Sequence, residues 1–274
     1  MIFCHRIQPI LYRVVVIVDE SQAHGLWKIP GVLTNRNWRN TQIANTPQFV
    51  RHLISITNCA ESDLLEIIST FPNLENLAIW DGRFVSSEIL EKMSDLPLRM
   101  LSLCMTDTSL YEAIQTFANL THLEIRDMDR STSDLYKVLV ELPKLTHLCF
   151  CTSAHVDDTV VLNLLEHCAS LRVLVFLLLT GAGFVNVTIA LDNPRCVVLL
   201  DRMDMKDLLE EWKRSAHGLI GFWELAEIIV DARKGNLFKD RSSSVFSRKT
   251  WMNHLNDDGM RWYKEWSRGS KNCV

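Results

Sequence analysis

Along the middle of the chain the apolar positions repeat one phrase: leucine, two residues, leucine, one residue, then another apolar residue. It reads Leu74/Leu77/Ile79, Leu98/Leu101/Leu103, Leu120/Leu123/Ile125, Leu145/Leu148/Phe150 and Leu171/Leu174/Phe176, at steps of 24, 22, 25 and 26 residues. A period of this length marks a solenoid. Each strand-plus-helix unit is too small to bury its own apolar face, so the units stack and share one continuous core. Between the strands, polar caps lead into apolar residues spaced by three and four. Ser62-Asp63 opens Leu64 to Phe71, Ser86-Ser87-Glu88 opens Ile89 to Leu96, and Asp107 opens Leu110 to Phe117. Ser133-Asp134 opens Leu135 to Leu142, and Asp157-Asp158 opens Val160 to Leu165. Each stretch predicts a helix with one face packed inward, and Pro72, Pro97 and Pro143 stand where a helix must stop before the next strand.

The flanks follow the same logic less regularly. Ile7 to Val18 ends in Val14-Val15-Val16-Ile17-Val18, a β-branched run that predicts a buried strand. Val50 and Leu53 lie 24 residues before Leu74 and Leu77 and predict a degenerate leading repeat. Beyond Asn193-Pro194 the period disappears. Val197 to Leu200 predicts a closing strand, and Met203 to Ala216 and Phe222 to Arg233 predict two helices capping the open end of the solenoid. The expected division is an N-terminal cap over 1–46, a solenoid over 47–200, a C-terminal helical cap over 201–235, and a basic, Trp-rich, partly ordered tail over 236–274.

Composition changes this picture little. The 274 residues are 47% hydrophobic and 23% charged, as in an ordinary soluble globular protein, and the net charge is −4. The charge is polarised: Arg233 to Lys271 carries +6 and the remainder −10. Eight scattered cysteines and an opening without a clean signal peptide point to the cytosol or nucleus, where thiols stay reduced. Val173 to Leu191 is nineteen uncharged residues, long enough for a membrane span. The competing reading is a strand to Phe176, a turn at Thr180 to Gly183 and a second buried strand over Phe184 to Leu191. The central Gly181-Ala182-Gly183 suits the turn, and no membrane is expected as a partner.

In stacked repeat strands, the residues between the core leucines form columns about 4.8 Å apart on the open face. One column is Asn76, Met100, His122, His147, Val173; the next is Ala78, Ser102, Glu124, Cys149, Val175; the third is Trp80, Cys104, Arg126, Cys151, Leu177. Trp80, His122, Glu124, Arg126 and His147 are the expected partner contacts, because exposed aromatic and arginine side chains carry a disproportionate share of binding energy. A plain solvated face is the alternative for them. His147, Cys149, Cys151 and His155 are zinc-type ligands, but i and i+2 side chains on a strand stand about 7 Å apart, which a tight tetrahedron tolerates poorly. Cys149 and Cys151 read instead as small fillers, and neither a metal nor a cofactor is expected. No phosphate-cradling Gly loop, Gly-x-Ser-x-Gly elbow or His-Glu-x-x-His is present, so the expectation is a non-enzyme. In the tail, Trp251, Trp262 and Trp266 among Arg248, Lys249, Arg261, Lys264 and Arg268 could stack on single-stranded nucleic acid or lie on an anionic membrane. The alternative, favoured because Asp257, Asp258 and Glu265 dilute the charge, is that Trp262 and Trp266 staple the tail to the solenoid.

These motifs, in this order, resemble the leucine-rich-repeat proteins of the F-box type found in mushroom-forming fungi. The stretch from Phe3 to Val15 resembles the end of an F-box, Val50-Arg51-His52-Leu53 the first strand that follows, Pro143 to Leu148 the recurrent strand entry, and Phe222 to Glu227 the C-terminal helix. The resemblance implies an α/β leucine-rich-repeat solenoid, a curved parallel sheet with outer helices and a C-terminal helical cap. It also implies the substrate-recognition half of a ubiquitin-ligase receptor that holds a protein on the concave sheet face. The Leu-Pro-x-Glu helix and its partner, which complete an F-box, are not in these residues. Binding to the cullin-ligase adaptor is therefore expected only where they are restored. A repeat-only scaffold unconnected to ubiquitin is the alternative.

Overall fold

A computed structural model describes residues 13–18, 32–34, 38–40, 46–56, 60–80, 85–104, 117–126, 137, 139–151, 158–178, 192–200, 205–240 and 245–270. Its backbone is one ten-stranded, all-parallel open sheet. The strands are β1 Val14–Val18, β2 Val32–Thr34, β3 His52–Ile56, β4 Asn76–Ile79 and β5 Met100–Cys104, followed by β6 His122–Arg126, β7 His147–Cys151, β8 Val173–Leu178, β9 Cys196–Leu200 and β10 Val245–Phe246. They lie in the order β2-β1-β3-β4-β5-β6-β7-β8-β9-β10, so only β1 and β2 depart from chain order. Six α-helices accompany them among the described residues: α1 Glu61–Thr70, α2 Ser87–Ser94, α3 Asp158–His167, α4 Met205–Ala216, α5 Phe222–Lys234 and α6 Asp257–Ser270.

The register follows the repeat. Leu53, Leu77, Leu101, Leu123, Leu148 and Leu174 are partners across six successive strands. The degenerate leading unit at Val50 and Leu53 is in phase with the rest, as its spacing predicts. On this face the leucines meet Leu64, Ile67 and Ile68 of α1, Ile89, Leu90 and Met93 of α2, and Val160, Val161 and Leu164 of α3 in one buried cluster. α2 starts where expected, with Ser86 Oγ accepting from the Ile89 N–H (3.3 Å). α1 starts at Glu61, one residue before Ser62, with Ala60 at its N-cap and no side-chain cap. The helix expected after Asp107 lies outside the described residues except for Phe117, and the one expected after Ser133 lies partly outside them; the stretch before Arg13 and the strand expected over Phe184 to Leu191 lie wholly outside.

The other face overturns an expectation. The C-terminal helices α4 and α5 do not close the end of the sheet; they lie across the face that the column residues occupy. Trp212 of α4 meets His52 of β3 edge-on, with ring centroids 6.5 Å apart. Trp223 of α5 meets His147 of β7, so the pair spans the sheet from β3 to β7. A second buried cluster joins Ile54, Ala78, Cys149, Val175, Val197 and Leu199 to Leu208, Leu209, Leu225, Ala226 and Ile229 of these helices. The result is three layers, helices over both faces of the sheet. A parallel sheet shields both faces in this way because its strands are apolar on both.

The described residues of the tail, 236–240 and 245–270, are also more ordered than expected. Val245 and Phe246 add β10 to the sheet edge beside Val198 and Leu199, and Phe238 pairs with Leu255 in an isolated antiparallel bridge. Trp251 is buried against Tyr263, and Trp262 and Trp266 pack on the second cluster, so the tail is stapled down through its tryptophans. The close approach that holds α6 is at Gly259. Its N–H donates to Asn256 Oδ1 (2.8 Å), and a Cβ placed there would stand 2.4 Å from the Leu237 carbonyl oxygen. Gly259→Ala is expected to cost about 1–3 kcal/mol, read as a lower urea midpoint at unchanged m. No helix among the described residues is long and apolar enough to cross a membrane.

Candidate functional site

All five predicted contact residues are brought together on the covered face, in the middle of the sheet. They are not exposed: Trp80 is 7% accessible, Glu124 4%, Arg126 5% and His147 4%, and only His122 is half-buried. The expected open concave face is corrected accordingly. What remains accessible is a narrow cleft, partly open to solvent, between the central strands and the α4–α5 pair.

The floor of the cleft comes from Asn76, Met100, Ser102, His122 and Glu124, which stand on β4, β5 and β6. Its walls come from Trp80, just past β4, from Trp212 and Glu211 on α4, and from Trp223 at the start of α5. The turn between α4 and α5 sets that last indole in place. Gly218 takes φ +72°, a region that favours glycine, and the Gly221 N–H donates to Glu224 Oε2 (2.8 Å), tying off the first turn of α5.

Two polar arrangements lie side by side. At one, Arg126 Nη1 donates to Glu124 Oε1 at 2.7 Å, and its guanidinium carbon sits 4.3 Å from the centre of the Trp80 ring. Trp80 Nε1 in turn donates to Ser102 Oγ at 2.7 Å. Burial alone would push the Arg126 guanidinium down, but the charge and hydrogen bond of Glu124 foremost hold it above its ordinary value. At the other, the rings of His122 and His147 stack 4.0 Å apart at 7°, and Trp223 meets both edge-on at 5.3 and 5.8 Å. Each imidazole Nδ1 pairs with the hydroxyl of its own preceding threonine, Thr121 at 2.9 Å and Thr146 at 2.8 Å. His147 Nε2 faces Glu227 Oε1 at 3.1 Å, and that hydrogen bond holds the Glu227 carboxyl below the usual range despite its partial burial. Burial, and then the neighbouring His147, push His122 down to about 3.

Several polar groups here have no partner among the described residues. The indole Nε1 of Trp212, which lines the cleft, is one, and both ring nitrogens of His52 against the same indole are others. Sequence reasoning placed Asn76 and Ser102 in the right columns without selecting them, and it assigned Trp212 and Trp223 to helices without placing them over the sheet. Cys149 and Cys151 are buried in the second cluster, as small fillers but under α4 and α5 and not on an open face. No group of three or more His, Cys, Asp or Glu that could hold a metal is found among the described residues, and His155 lies outside them.

The class defined by these observations is an α/β chain with a parallel sheet helix-covered on both faces and a small, aromatic-walled cleft with a polar floor at its centre. No protein-family model matches the chain, and no curated protein matches it either.

Proposed function

We propose that the chain is a leucine-rich-repeat recognition module, not an enzyme, and that it engages a protein partner at the cleft between β4–β6 and the α4–α5 pair. The observation that carries the reading is the cleft's composition, tryptophans around a polar floor, with the buried Trp212 indole N–H without a partner among the described residues. Recognition sites combine apolar walls with a few placed polar groups in this way. The in-register leucine ladder supports the repeat assignment. The proposal's specific form, suggested by the sequence resemblance, is the substrate-recognition half of an F-box receptor. The partner is then a protein marked for ubiquitination, and adaptor docking depends on the F-box helices being present. The five described cysteines are buried and none is in a disulfide, which suits the proposed cytosolic or nuclear setting.

The test is affinity capture from a fungal extract by the wild type and by two variants, followed by identification of the prey. Asn76→Leu fills the cleft without breaking an ion pair. Arg261→Gln/Lys264→Gln/Arg268→Gln removes the positive charge of α6. Prey lost with the first variant and kept with the second support the cleft. The opposite pattern, with steep salt dependence, overturns it in favour of a surface that binds polyanions through α6. Restoring the F-box helices is expected to add the cullin adaptor to the prey, and its absence would remove the ubiquitin connection.

A further inference from the structure

We propose that the edge of the sheet where the strands begin is an interaction surface for an extended acidic segment of a partner protein, with carboxylates at every fourth residue. This surface is separate from the floor of the cleft and does not depend on the recognition assigned there.

The residues just before β1 and β3 to β8 form one file along that edge, fixed by backbone hydrogen bonds of 2.8–3.0 Å. The Arg51 N–H donates to the Arg13 carbonyl, the Glu75 N–H to that of Arg51, and the Arg99 N–H to that of Glu75. From there the file runs through Thr121 and Thr146 to Arg172. Its one carboxylate, Glu75, is held by Arg51 at 3.7 Å. Glu227 of α5, which faces the far end, is engaged by His147 at 3.1 Å and approached by Arg172 at 3.6 Å. Arg13 and Arg99 are exposed and make no side-chain hydrogen bond or ion pair among the described residues. Arg172 keeps 66% of its side chain exposed. Three guanidiniums thus stand in line at the surface with donors to spare.

Their intervals set the form of the partner. In the sheet order Arg13, Arg99 and Arg172 are each three strands apart, so about 14 Å separates one from the next. An extended chain rises about 3.4 Å per residue, so about four residues span that interval, and an even step returns each side chain to the same face. Asp or Glu at the first, fifth and ninth positions then meets the three guanidiniums in turn, whose planar forks suit a carboxylate. A nucleic-acid strand fits less well, because it carries a charge on every nucleotide and relies on aromatic rings to stack its bases. The α4–α5 turn stands beside this edge, since Phe222 after it lines the cleft with Met100 and His122, the first residues of β5 and β6. The large side chains that the turn exposes are Leu219 and Ile220, aliphatic surface for a peptide side chain and no platform for a base.

The probe is a capped, fluorescently labelled nine-residue peptide with Glu at the first, fifth and ninth positions and Thr elsewhere. Its controls are an isomer with the three Glu consecutive, a version with Gln for Glu, and an oligothymidylate of similar length. Each is titrated into the full chain at fixed ionic strength and followed by fluorescence anisotropy. The spaced peptide is expected to bind about tenfold more tightly than its isomer and its Gln version, the worth of a few exposed ion pairs. Arg99→Gln/Arg172→Gln is expected to remove that preference while leaving the urea midpoint close to that of the wild type. An isomer that binds as tightly overturns the spacing and the extended register. A preference that survives the double variant overturns the location. Oligothymidylate that displaces the peptide at lower concentration overturns the choice of a peptide partner. Binding of none of the probes overturns the proposal, and the cleft is judged separately by the prey lost with Asn76→Leu.

Discussion

Arg126→Met is expected to destabilise the fold by about 3–5 kcal/mol, because it strands the Glu124 carboxylate in a site where both side chains are at least nine-tenths buried. The pair sits at i and i+2 on β6, so both groups point under the helical layer, with only Glu124 reaching the cleft. Removing both charges in Glu124→Gln/Arg126→Met is expected to recover most of the loss, since the cost comes from one charge left uncompensated and not from the missing attraction. Urea unfolding of the wild type, the two single variants and the double variant measures this directly. A single-variant cost below about 1 kcal/mol, the range of exposed pairs, would mean that water in the cleft solvates the stranded Glu124 carboxylate as well as bulk solvent does.

Much of the architecture was legible because it rests on a period. The leucine positions set the register of β3 to β8, and the helix-stopping prolines set the phase of the units. What the repeat could not convey was the fate of the other face, yet a signal for it was present. β1 reads Val-Val-Val-Ile-Val, β8 Val-Leu-Val-Phe-Leu-Leu and β9 Cys-Val-Val-Leu-Leu, apolar on alternate and intervening positions alike. A strand that is apolar on both faces must be covered on both. In β4 to β6 that pattern lapses, and the same columns carry Asn76, Met100, Ser102, His122 and Glu124. The cleft lies where the two-sided apolar pattern fails, which is the physical reason its position could have been read before its geometry.

The helical layer itself was harder to place. α4 and α5 were predicted as helices, but nothing in a helix's own periodicity says which surface it will meet, and a solenoid offers both an end and a face. The apolar residues Val173, Val175, Leu177, Val197 and Leu199 decide it, because only a covering layer takes them all out of water. The tail's tryptophans were ambiguous for a related reason. Interleaved aromatic and basic residues suit a nucleic-acid platform and a packed helix equally until burial is known, and Trp251 at 4% accessible has little surface left to offer a base.

Acidification is expected to unfold the protein through histidines that the helical layer keeps neutral. Burial pushes His52 down to about 4, and both its ring nitrogens lack a hydrogen-bond partner among the described residues. His122 is pushed down to about 3. In the unfolded chain both take up a proton near pH 6.5. Above that value each is neutral in both states, and the stability is fully present. As the pH falls through 6.5 the unfolded state gains protons that the folded state refuses, at about 1.4 kcal/mol per unit and per group. The loss runs on until the folded values are reached, near pH 4 for His52 and near pH 3 for His122. At pH 4.5 the two together are expected to remove about 5 kcal/mol, most of the margin of an ordinary domain. His52→Leu tests the assignment, because leucine fits among Val14, Ile54 and Trp212 without leaving ring nitrogens unpaired. Thermal unfolding from pH 7 to pH 4.5 is expected to give a slope close to half that of the wild type, with higher stability at every pH. A slope unchanged by this variant would mean that water already reaches His52 beneath α4.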